Sequence, residues 1–90
     1  MAQKEKLFKS KEHKSREEVS RFLKELADKI SSGSVSMIQG EQEVTFQIPD
    51  EIKLDVEAEQ KDKGRKGIRQ ELEIELQWYE GAKTGSLELK

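Results

Sequence analysis

Residues 71–78 read Glu-Leu-Glu-Ile-Glu-Leu-Gln-Trp. Leu72, Ile74, Leu76 and Trp78 alternate there with Glu71, Glu73, Glu75 and Gln77. A period of two sends the two sets to opposite faces of a strand, one dry and one wet. The same alternation recurs upstream. Ile52, Leu54, Val56 and Ala58 alternate with Lys53, Asp55, Glu57 and Glu59. Val44, Phe46 and Ile48 alternate with Thr45 and Gln47, and Val35 and Met37 with Ser34 and Ser36. The breaks at 40–42, 49–51 and 61–67 are short and turn-like, as antiparallel neighbours require.

Before Gly33 the period lengthens to about 3.6. Val19, Phe22, Leu23, Leu26, Ala27 and Ile30 form one apolar stripe, with Arg21, Lys24, Glu25 and Asp28 on the other side. Ser15 with Glu18 three residues on is a capping box. Glu17 and Glu18 place negative charge at the positive end of the helix dipole. Gly33 suits the stop, because glycine takes the left-handed conformation that closes helices. The spacing predicts a helix from Ser15 to Ser31.

These elements add up to an α+β fold: one amphipathic helix on one face of a four-stranded antiparallel meander. The expected core is Val19, Phe22, Leu23, Leu26, Ile30, Val44, Phe46, Ile48, Leu54, Val56, Leu72, Ile74, Leu76 and Trp78. Such a core suffices for one small domain and leaves no room for a buried cofactor. The domain runs over 15–80. Residues 1–14 form a basic arm in which Leu7-Phe8 could add a short edge strand, and residues 81–90 form a mobile tail. In the 52–60/70–78 hairpin two registers keep the apolar face intact. One sets Ile52 opposite Trp78, Glu57 opposite Glu73 and Glu59 opposite Glu71. The other, slipped by two residues, sets Lys53 opposite Glu75.

A capped amphipathic helix, alternating strands, the turn Ile48-Pro49-Asp50-Glu51 and the closing Leu72-Glu73-Ile74-Glu75-Leu76-Gln77-Trp78 together resemble the amphi-Trp domain, a small prokaryotic family. The resemblance covers about 15–78. It implies the α+β fold and carries no established activity, cofactor or catalytic residue.

Charge is distributed in blocks. The net charge is −2 over 90 residues, yet residues 1–16 sum to +4, 41–60 to −6, 61–69 to +4 and 70–80 to −4. In a meander, the 40–42 and 61–67 turns lie at one end. A helix of this length spans about 25 Å, which returns its N-terminus to that end. Lys9, Lys11 and Lys14 of the arm and Lys61, Lys63, Arg65 and Lys66 of the loop are therefore expected to share a basic pole, a candidate site for an anion or a partner. Few aromatic residues accompany these cations, which argues against stacking on single-stranded bases. The opposite sign gathers on the wet sheet face, at Asp55, Glu57, Glu59, Glu71, Glu73 and Glu75. A flat face of carboxylates lacks the enclosing loop of a calcium site, and serves better to keep sheets from stacking.

The remaining chemistry is sparse. Cysteine is absent, and His13 is the one histidine, so the usual zinc sets are excluded. There is no nucleophile elbow, phosphate loop or zinc-protease motif. No apolar run approaches the roughly 20 residues of a membrane span, and the basic start lacks the apolar stretch of a signal peptide. The reading is a cytoplasmic, non-enzymatic module without metal or cofactor. An unidentified protein is its expected partner, and weak polyanion or nucleic-acid binding through the basic pole is the alternative.

Overall fold

A computed structural model describes residues 4–81. In chain order these form helix α1 (Arg16–Ser32), strands β1 (Ser34–Gln39), β2 (Gln42–Gln47) and β3 (Lys53–Asp62), a short 3-10 turn (Gly64–Lys66) and strand β4 (Ile68–Gln77). Two compact units divide the chain between Ile48 and Pro49. The expected tail, beyond Gly81, lies outside the described residues.

In the first unit the capping box forms as its spacing demands. The Ser15 hydroxyl accepts from the Glu18 amide at 3.1 Å, and the Ser15 amide donates to the Glu18 carboxylate at 3.3 Å. Both satisfy donors that a helix start leaves unpaired. Gly33 closes the helix at φ 89°, and its amide donates to the Ile30 carbonyl at 3.0 Å. Its own carbonyl accepts from the Ile48 amide at 2.8 Å, which ties the end of the β1–β2 hairpin to the helix end. That hairpin turns on two residues. Gly40 has φ 61° and Glu41 a negative φ, the combination of a type II′ turn. Val35 pairs with Phe46 and Met37 with Val44 on one face, while on the other the Ser36 and Thr45 hydroxyls meet at 2.8 Å. Helix α1 packs against β1.

Residues 4–15 carry neither helix nor strand, so Leu7-Phe8 does not form the edge strand the sequence allowed. A side-chain bond reaches the arm, Gln42 Nε2 donating to the Leu7 carbonyl at 2.5 Å.

The second unit is a long antiparallel ribbon, β3 with β4. Its register sets Lys53 opposite Gln77, Glu57 opposite Glu73 and Glu59 opposite Glu71, the first of the two registers allowed by sequence. The loop explains the choice. Asp62 Oδ1 accepts from the Gly64 amide at 2.8 Å, the Lys63 amide donates to the Gly67 carbonyl at 2.8 Å, and the Gly67 amide donates to the Gly64 carbonyl at 3.0 Å. Gly64 and Gly67 take φ 67° and 90°. A closed loop of this length fixes which residues face each other, and the facing glutamates are carried along.

The four strands pair as two antiparallel hairpins, β1 with β2 and β3 with β4. The residues expected in the core differ in exposure. Val35, at 6% exposure, is the buried residue of the described chain. Val19, Phe22, Leu23, Leu54, Val56, Leu72 and Ile74 are exposed, while Leu26, Ile30, Val44, Phe46, Ile48, Leu76 and Trp78 are half-buried. Alternation sorts residues to faces; it does not by itself specify what packs against an apolar face.

Candidate functional site

The β3–β4 ribbon separates its chemistry by face. Cross-strand pairs Leu54–Leu76, Val56–Ile74 and Ala58–Leu72 lie on one side, continued toward the loop by Gln60–Gln70 and Asp62–Ile68. Gln70 Nε2 donates to Gln60 Oε1 at 3.4 Å, so this face becomes polar before the loop. Leu54, Val56, Ile68, Leu72 and Ile74 are each more than half exposed, Leu72 at 70%. Contiguous exposed aliphatic surface of this extent is uncommon on a folded chain.

The opposite face is ionic. Lys53 pairs with Asp55 at 3.7 Å and Arg69 with Glu71 at 3.4 Å, each along its own strand. Between those ends Glu57, Glu59, Glu71 and Glu73 face one another across the ladder. Repulsion from Glu57 first, then from Glu71, raises the Glu73 pKa above the ordinary glutamate value. Among the described residues no group of three or more acidic, histidine or cysteine side chains is arranged to hold a metal ion.

The loop end concentrates positive charge. Lys61 stands opposite Arg69 in the ladder, and Lys63, Arg65 and Lys66 sit in or beside the 3-10 turn. Among the described residues Lys61, Lys63, Arg65 and Lys66 make no ion pair within 4 Å.

The arm cations belong to the other unit. Lys9 and Lys11 are exposed in irregular chain. Lys14 is engaged, with Glu12 at 3.8 Å and Glu18 at 3.9 Å. The two bonds with Ser15, helped by Lys14, lower the Glu18 pKa. A pole shared by arm and loop is an expectation that neither unit carries by itself. In the first unit the arm, α1 and β1 enclose a groove of about 760 Å³ that includes Phe8, Val19, Phe22 and Ile38. Its rim mixes Lys14, Glu18, Arg21 and Glu25, so neither sign of ligand is favoured.

Trp78 is half-buried just beyond β4, and Tyr79, out of phase with the strand, is 88% exposed. No described helix is long and apolar enough to cross a membrane. The apolar ribbon face carries Leu54, Val56, Leu72 and Ile74, residues that sequence reasoning assigned to the core. One signal for its limits was available, since the apolar phase of β3 turns polar at Gln60 and Asp62. No curated protein and no solved structure matches the chain. The family model of the Amphi-Trp domain matches residues 1–90, and the chain, with its alternating strands and near-terminal Trp78, belongs to that family.

Proposed function

We propose that the chain is a non-catalytic, cytoplasmic protein-interaction module that works through the apolar face of the β3–β4 ribbon. The observation that supports this is the exposure of Leu54, Val56, Leu72 and Ile74 together on one face, each at 55% or more. Water against that much aliphatic surface is unfavourable, and covering it releases free energy in proportion to area. The glutamates behind it give the ribbon one sticky side only, which favours a defined partner over indiscriminate stacking.

The test is capture from native lysate, with and without nuclease, by the wild type and by Leu72→Asp. A protein held by the wild type, resistant to nuclease and lost with Leu72→Asp, is the expected result. Capture unchanged by Leu72→Asp contradicts the reading.

A second reading is favoured by the cations Lys61, Lys63, Arg65 and Lys66, which make no ion pair among the described residues. A loop of this charge would bind a polyanion such as a nucleic-acid backbone, with affinity that falls steeply as salt rises. Neutralising the four residues would then abolish retention on heparin. Unchanged retention contradicts it.

A further inference from the structure

The ribbon is a dipole as well as an amphipath. Its loop end, residues 61–69, carries +4. At its open end Asp50, Glu51, Asp55, Glu75 and Glu80 outweigh Lys53, giving −4 over residues 50–55 and 75–80. Strands of ten residues hold these ends about 30 Å apart, several Debye lengths at physiological salt. Each end therefore acts on what lies beside it and hardly on the other.

We propose that the partner of the apolar ribbon face is a second copy of the same ribbon, stacked face to face and antiparallel about a two-fold axis. This rests on the reading of that face as an interaction surface, and names its occupant. Three features argue for it. Antiparallel stacking sets the +4 loop end of each copy beside the −4 open end of the other, twice. Parallel stacking sets like charge on like. The glutamate face points away from the contact in both copies, so the repulsion among Glu57, Glu59, Glu71 and Glu73 is not increased by association. Finally, five aliphatic side chains more than half exposed offer on the order of 500 Å² per copy at roughly 100 Å² each. The pair then reaches the roughly 1,000 Å² at which specific association begins. The same patch on both copies is what a two-fold contact requires.

Charge reversal in the full chain tests both the occupant and its direction. Loop-end reversal is Lys61→Glu, Lys63→Glu, Arg65→Glu and Lys66→Glu together, which takes that end from +4 to −4, and open-end reversal is Asp50→Lys, Glu51→Lys, Asp55→Lys and Glu75→Lys together, which takes that end from −4 to +4. Sedimentation equilibrium reads the mass. The wild type is expected to pass from 10.4 kDa toward twice that value as concentration rises. Each reversed variant alone is expected to associate at least tenfold more weakly. An equimolar mixture of the two restores the dimer, because each reversed end then meets its opposite. The restored dimer also shows that both variants fold.

A wild type that stays at 10.4 kDa overturns the proposal, as does a mixture no better than its components. An apolar dye separates this failure from that of the underlying reading. A monomer whose dye binding is lost on Leu72→Asp overturns the second copy and leaves the interaction face standing. A monomer without such dye binding, its ribbon covered by helix α1 of its own chain, overturns both.

Discussion

Leu72→Ala measures directly whether a single chain leaves its ribbon uncovered. Fully burying a leucine is worth about 1.5–3 kcal/mol. Leu72 is 70% exposed, so less than a third of that, about 0.5–1 kcal/mol, is in play within one chain. Val35→Ala removes less, yet its site is 6% exposed, and losing two buried methyl groups costs about 2 kcal/mol with the cavity included. The smaller truncation is therefore predicted to be the more damaging at low protein concentration. Urea unfolding at a few concentrations is the assay. As concentration rises, the Leu72→Ala cost grows, because association adds burial at that site, while the Val35→Ala cost stays fixed. A cost for Leu72→Ala of 2–5 kcal/mol, the range of a core leucine, at every concentration refutes the reasoning.

Gly33→Ala forces an L-residue into φ 89°, where the left-handed region costs about 1–2 kcal/mol. The added methyl meets only the Ile48 carbonyl oxygen, at 3.7 Å, so strain rather than collision sets the loss. After the gain from a stiffer unfolded chain, a net loss near 1 kcal/mol is expected in a chemical melt. Glu73→Lys turns the opposed glutamates of the ribbon into opposite charges, and slower amide exchange in β3 and β4 is expected at neutral pH; faster exchange contradicts the register. Acid affects the two units in opposite directions. The Glu73 pKa is raised in the fold, so its contribution is present below the unfolded value, about 4.3, and lost as pH rises through the higher folded value. The Glu18 pKa is lowered, so its contribution is present above the unfolded value and lost as pH falls through the lower folded one. Residue-resolved exchange on acidification should show the ribbon tightening before the helix start loosens.

Much of this is written locally in the chain. Ser15 and Glu18 announce the helix start because a capping box needs only four residues. Gly40 and Gly33 mark turns because positive φ is a property of single residues. The faces of β3 and β4 follow from alternation alone. The choice between the two hairpin registers does not, since a slip of two residues leaves every side chain on its own face. It is settled by loop hydrogen bonds at Asp62, Gly64 and Gly67. Burial is less legible still. Leu72 and Val35 read alike as inward positions, yet one is 70% exposed and the other 6%. Whether an apolar face is covered depends on what packs against it, which no single strand specifies. The loop cations Lys63, Arg65 and Lys66 were visible as a charge run. Their lack of ion pairs among the described residues required coordinates.

The central claim is that the apolar ribbon face is open in one chain and closes only by association. The chain lacks cysteine, so Ala58→Cys places one thiol at the middle of that face. The direct measurement is its rate of reaction with a small thiol reagent as protein concentration is raised. The account predicts a rate near that of a free thiol at high dilution, slowing as copies associate. A rate already slow at high dilution and independent of concentration would contradict it, because the face would then be covered within a single chain.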